Sequence, residues 1–201
     1  VIISFLASHG GSSAKAIIAA INNSQLNATV GIVITNNRDS AISAWCLDNN
    51  VLVRHISSKT HRGEENADEA ISTVLQNASS QLIVCSGYMK LIGPHTLDAF
   101  PEKIVNIHPA LLPKHGGKGM FGDHVHRAVL ASGDTISGAT VHFVTAGIDE
   151  GPIILQKEVA VTTSDTVETL RTKIQAIECT LYIAAVKKII NLWSTAAHGN
   201  L

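Results

Sequence analysis

Asn106, His108 and Asp149 are the residues of this chain best suited to acid-base chemistry. Asn106 and His108 stand two apart in the apolar run Ile104-Val105-Asn106-Ile107-His108, which Pro109 ends. Side chains alternate along an extended segment, so an amide and an imidazole share one face while Val105 and Ile107 share the other. Proline cannot donate to a ladder, and Pro113 stiffens the exit. A loop therefore follows over the carboxyl end of the strand, the edge where open α/β sheets take ligands. An amide N–H and an imidazolium can donate to an oxygen that gains charge, and a carboxylate can orient the imidazole or pass a proton. Asp149, in the turn Gly147-Ile148-Asp149-Glu150-Gly151, is the carboxylate expected to approach His108 and raise its pKa. Such a set needs no covalent nucleophile, and the chain has no GxSxG elbow and no cysteine beside a telling histidine.

A second feature is Ser8-His9-Gly10-Gly11-Ser12-Ser13-Ala14-Lys15, a small glycine-containing turn that feeds from the first apolar strand into a helix. Unpaired N–H groups at a helix start, close approach at glycine and serine hydroxyls together suit an anion, phosphate above all. The competing reading makes Ser12 an ordinary N-cap. His108, His115, His124 and His126 have poor metal-ligand spacing, and no metal is expected. The basic loop from Lys114 to Gly122 holds four glycines and is expected to be a mobile lid. Ser86 to Ile92 follows a buried strand and offers backbone and apolar side chains at the same sheet edge.

The elements that must position these groups alternate. Strands over 1–7, 28–35, 51–56, 81–86 and 103–108 are separated by helices over 12–22, 39–49 and 63–78 and by a short piece over 94–99. Alternation of this kind means parallel strands with crossover helices. After a helix over 123–132, the β-rich runs 136–146 and 152–162 lie close enough for an antiparallel pair. A long terminal helix follows, with Asp165 and Glu168 as a capping-box-like start, apolar spacing to about Trp193 and a frayed tail over 194–201. The fold class is α/β and Rossmann-like: a mostly parallel central sheet flanked by helices, an antiparallel C-terminal strand pair and a long terminal helix.

Composition narrows the partners. The chain has 201 residues, 45% of them hydrophobic, and 15 Lys+Arg against 16 Asp+Glu. That is enough apolar content for one core, and the near-zero net charge disfavours nucleic acid or an anionic membrane as the main partner. Cys46, Cys85 and Cys179 are scattered and odd in number, which suits free thiols in a reducing compartment. No apolar run approaches the roughly 18 residues of a membrane span. The start lacks a basic leader, so the expected location is cytoplasmic.

Taken in order, "GGSS", "CSGYMKLIGP", "KIVNIHPALLPKHGGKGMFGDHVHRAV", "GATVHFVTAGIDEGPIILQ" and "SDTVETLRTKIQAIE" resemble the phosphoribosylglycinamide formyltransferase family, over nearly the whole chain. The resemblance implies formyl transfer from 10-formyltetrahydrofolate to the amino group of glycinamide ribonucleotide in purine biosynthesis, with no metal. It implies that Asn106, His108 and Asp149 are catalytic and that His142 orders the site. Gly11, Ser12 and Ser13 would hold the substrate phosphate, Gly87 and Ile107 would offer backbone contacts, and Glu178 would contact the substrate through its carboxylate. Met89, Lys90, Leu91, Ile92 and the stretch from Val144 to Asp149 would border the folate, and Arg62 its tail.

Two departures from the family pattern stand out. Ser13 replaces a frequent Asn and loses an amide contact, and Lys90 replaces an arginine and loses its bidentate fork. The resemblance implies one domain over 1–201, with a phosphate-binding half over 1–100 and a catalytic, folate-binding half over 101–193. Its partners would be the two small molecules, without nucleic acid or membrane, and the chain would act as a monomer or homodimer. The rivals are a formyltetrahydrofolate hydrolase, a methionyl-tRNA formyltransferase and a non-catalytic sugar-phosphate binder. Near-neutral charge and the few residues after Trp193 speak against the tRNA enzyme.

Overall fold

A computed structural model describes residues 1–198. The elements run β1 (Ile2–Ala7), α1 (Ser12–Asn22), β2 (Thr29–Thr35), α2 (Ala41–Asp48), β3 (Val53–His55), α3 (Glu64–Asn77), β4 (Leu82–Ser86), α4 (Pro94–Ala99) and β5 (Ile104–His108). They continue with α5 (Asp123–Ala131), β6 (Ile136–Phe143), β7 (Ile153–Ala160) and α6 (Val167–His198). The strand order is β3-β2-β1-β4-β5 up to the strand at which the first unit ends, and β6 pairs with β7 in the second. Pairing is parallel from β3 to β5 and antiparallel between β6 and β7, the α/β arrangement expected from the alternation. The chain divides within β5 into two compact units, Val1–Asn106 and the part from Ile107 onward.

In the first unit β1 lies between β2 and β4, with Ile3 opposite Leu82 and Ala7 opposite Ser86. A strand paired on both edges and covered on both faces reads as a continuous apolar run, which is why "IISFLA" shows no alternation. Ile3, Phe5 and Leu6 are fully buried, as are Ile83 and Val84 of β4 and Ile17 of α1. Burial of each such large side chain contributes about 1.5–3 kcal/mol. Pairing stops where β1 and β4 reach Ala7 and Ser86, leaving their carboxyl ends to carry the loops that follow.

In the second unit β6 and β7 pair from Ile136 opposite Ala160 to His142 opposite Ile153, with a register shift between Val141 and His142. Helix α6 packs on both strands and on α5, burying Leu170, Ile174, Tyr182 and Val186. Its start differs from the expected Asp165–Glu168 box. Thr166 and Thr169 make the reciprocal pair, each hydroxyl accepting from the other's backbone N–H. Asp165 instead holds the preceding turn, accepting from the Thr162 N–H and from Lys173. The helix also runs past Trp193 to His198, in place of the expected frayed tail. No glycine or proline breaks it before Gly199, and Ser194 and Thr195 bond back to the carbonyls of Ile190 and Asn191. Residues 199–201 of that expected tail lie outside the described residues. Among the described residues, no helix is long and apolar enough to cross a membrane.

Candidate active site

His108 ends β5 and is buried. Its Nε2 lies 2.8 Å from the carbonyl oxygen of His115. A carbonyl can only accept, so Nε2 carries the hydrogen. Nδ1 is then left facing Asp149 Oδ2 at 3.4 Å. His142, on β6, repeats the arrangement in mirror form. Its Nδ1 donates to the Phe143 carbonyl at 2.9 Å, and its Nε2 faces Asp149 Oδ1 at 3.6 Å. One carboxylate thus lies between the second nitrogens of two buried imidazoles, and facing lone pairs are tolerable only if a proton is shared among them. Burial pushes both imidazoles below their usual pKa. At His108 the Asp149 charge and the His115 carbonyl pull the other way, and at His142 the Phe143 carbonyl and Asp149 do. Two imidazoles and a carboxylate this close can pass a proton between them, a proton-sharing centre.

The connection between β6 and β7 carries Asp149, at φ 60, a left-handed conformation that Asp adopts more readily than most residues. The loop is closed by the Phe143 N–H donating to Pro152 O at 2.9 Å. Asp149 Oδ2 also accepts from the Gly117 N–H at 3.0 Å. That approach depends on Gly116, where an added Cβ would lie 2.5 Å from Leu112 Cδ2 and 3.3 Å from Asp149 Cβ. The beginning of the expected lid is therefore tied to His108 and Asp149.

The first unit places Gly11, Ser12 and Ser13 at the end of β1. Gly11 caps α1 at φ 61, and no side chain makes a cap bond, so Ser12 is a helical residue with an exposed side chain and not the N-cap. The Ala14 N–H donates to Ser86 Oγ at 3.0 Å and the Lys15 N–H to Gly11 O at 2.9 Å. The N–H groups of Ser12 and Ser13 come ahead of the first helical bonds and point out of the helix start. The Ser8 N–H donates to Gly87 O and the Met89 N–H to Ser8 Oγ, which ties the Ser86–Lys90 turn to the end of β1.

Lys90 pairs with Glu64 at 3.0 Å on the surface, so its charge already has a partner. Leu91 and Met89 are exposed apolar side chains. Lys90, Leu91 and Ile92 line one wall of a cavity of about 400 Å³ whose other walls include Arg38, Lys59 and Tyr88. Arg62 is exposed, at φ 58, two residues before the start of α3. In the second unit Ile107 and Val144 are half-buried. Burial pushes the Glu178 carboxyl on α6 up, as expected for an acid group held from water. Among the described residues, no group of three or more His, Cys, Asp or Glu side chains could hold a metal ion.

Sequence reasoning missed the His115 carbonyl and the Gly117 amide, because backbone groups leave no mark on residue type. It also missed Asp134, which binds His115 across 19 positions of chain. The only available signal was its place in the Ser132-Gly133-Asp134 turn.

Residues 2–186 match the model of the family described as formyl transferase. The chain belongs to the formyl transferase family. It is 36% identical over 183 residues to a chloroplastic phosphoribosylglycinamide formyltransferase of Arabidopsis thaliana, covering 90% of this chain but only 63% of that protein. It is 30% identical to the phosphoribosylglycinamide formyltransferase of Bacillus subtilis, covering 92% of this chain and 93% of that one. The crystal structure of glycinamide ribonucleotide transformylase 1 from Symbiobacterium toebii superposes with a TM-score of 0.87 at 36% identity, over 93% of this chain and 86% of that one.

Proposed function

We propose that this protein transfers the formyl group of 10-formyltetrahydrofolate to the amino group of glycinamide ribonucleotide, a step of de novo purine biosynthesis, in the cytoplasm. The observation that carries this reading is the Asp149 carboxylate held 3.4 Å from His108 Nδ1 and 3.6 Å from His142 Nε2. The reaction needs such a proton-sharing group. The substrate amine attacks the formyl carbon, a C–N bond forms and the carbonyl oxygen gains charge. The amine then gives up a proton, the bond to the folate nitrogen breaks, and that nitrogen leaves with a proton as tetrahydrofolate.

Asn106 and His108 supply donors to the developing oxyanion, and a donor of this kind lowers the barrier by about 3–4 kcal/mol. Asp149 stabilises the imidazolium that forms as His108 takes up the proton the amine sheds, that proton passes on to the leaving folate nitrogen, and His142 fixes the carboxylate from its other side. Gly11, Ser12 and Ser13 hold the phosphate through the N–H groups at the start of α1. Gly87 and Ile107 offer backbone groups to the ribonucleotide, and Glu178 its carboxylate. Met89 to Ile92 and Val144 border the folate, with Lys90 and Arg62 toward its tail.

The test is to mix the protein with 10-formyltetrahydrofolate, with and without glycinamide ribonucleotide, and follow tetrahydrofolate. Release that depends on the amine supports the transferase. Release with formate and no need for the amine supports a hydrolase. Binding without turnover leaves only a sugar-phosphate binder.

A further inference from the structure

Asp134 has no part in the chemistry above. It follows Gly133 in the turn between α5 and β6, and its side chain is only 18% exposed. Its carboxylate accepts from Lys114 Nζ and from His115 Nε2, the latter at 2.7 Å. Those two partners, with the Ser132 hydroxyl, hold the carboxyl well below the usual carboxylate range, so it stays charged wherever the enzyme works. His115 is half-buried and sits at φ 58, a conformation that a non-glycine residue keeps only when its surroundings hold it there. The next two residues, Gly116 and Gly117, have no side chains with which to make contacts, so ordering them depends on an anchor elsewhere.

Two bonds run from this anchored turn into the proton-sharing centre. The His115 carbonyl accepts from His108 Nε2, and the Gly117 N–H donates to Asp149 Oδ2. The first fixes which nitrogen of His108 carries its hydrogen, and the second fixes the angle of the carboxylate.

We propose that Asp134 is a positioning residue: by gripping the His115 side chain and Lys114 it sets the 115–117 turn, and through that turn the tautomer of His108 and the orientation of Asp149. This rests on the reading of His108 and Asp149 as the acid-base pair. A plain surface ion pair would trim stability slightly and leave turnover alone. The buried share of the contact lies with His115, whose side chain is 12% exposed, and not with Lys114, at 61%.

The experiment compares wild type with Asp134→Asn, His115→Gly and Asp134→Glu, reading kcat and KM separately and recording ¹⁵N spectra of the His108 ring. Asp134→Asn keeps the shape but removes the charge and one acceptor. His115→Gly relieves the left-handed backbone and removes only the imidazole, so it folds even if the asparagine variant does not. Both are expected to lower kcat about 10- to 100-fold with KM for the ribonucleotide within about twofold, as sub-ångström misplacement of reacting groups does. Asp134→Glu should recover part of the loss. In the spectra, the single Nε2–H tautomer of His108 in wild type should give way to an average of two. Unchanged kcat in both loss variants, a loss confined to KM, or an unchanged His108 spectrum overturns the proposal. If wild type itself transfers no formyl group, the functional reading fails, and the His108 spectra still decide the positioning claim.

Discussion

Replacing Asp149 by Asn removes one charge from the centre while keeping its shape. The carbonyl oxygen of the introduced amide can still accept from the Gly117 N–H, so the loop should stay closed. What is lost is the attraction between a carboxylate and the imidazolium that forms on His108, 3.4 Å away and almost wholly buried. At that distance, with an effective dielectric constant of about 20, a full charge pair is worth roughly 5 kcal/mol. If about half of the positive charge has developed in the transition state, the loss is roughly 2.5 kcal/mol, or about 50- to 100-fold in kcat. KM for the ribonucleotide should stay within about threefold, because the interaction strengthens only as charge develops.

The pH dependence adds a second reading. Asp149 opposes the lowering that burial imposes on His108, so its removal must push the imidazole lower still. The acidic limb of the rate profile should therefore move to lower pH. Steady-state formyl transfer from pH 5 to 9 checks both. A fall in kcat of less than fivefold, a loss expressed only in KM, or an acidic limb that moves upward would refute the reasoning.

The other expected outcomes rest on different parts of the molecule. Gly11→Ala places a Cβ 2.7 Å from Ile42 Cδ1 at a φ of 61, which should cost about 1–2 kcal/mol and lower Tm by about 2–8 °C. It should also raise KM more for the phosphorylated substrate than for a dephosphorylated analogue, and equal effects on the two would remove the anion-cradle role. His108, His126 and His142 are all held below their usual value by burial, so the unfolded chain binds protons first as the pH falls through about 6.5. Stability is then complete above that point and declines toward the folded values, by at most about 1.4 kcal/mol per pH unit for each group. Urea midpoints at pH 7.5 and 5.5 test this, and an equal or higher midpoint at pH 5.5 contradicts it. Burial pushes the Cys46 thiol up to about 11 and the Cys85 thiol up to about 12, so neither should react with iodoacetamide in the folded protein at pH 8. Alkylation of either within minutes, read by mass spectrometry, would count against the burial assigned to them.

The sequence determined the parts of this protein whose physics is local. Strands such as "IISFLA" and "LIVCS" show as apolar runs because they are covered on both faces, and the helices between them show as apolar stripes of helical period. The alternation of period 2 predicts that Asn106 and His108 share one side of β5. Local chemistry also misled in places. Ser12 and Asp165 are good capping residues by type, yet Gly11 and the Thr166–Thr169 pair form the caps, because several residues at each start could serve and tertiary context selects one.

Only the tertiary structure decided how the proton-sharing centre is assembled. Asp149 reaches His108 from a turn far along the chain through the closure of the β6–β7 loop, and the two bonds that fix the pair's geometry come from backbone groups of His115 and Gly117. Those groups are the same in every residue, so no residue pattern announces them. Their placement follows from the path of the folded chain, and His115 keeps that path through a carboxylate, Asp134, that nothing in the linear order ties to it.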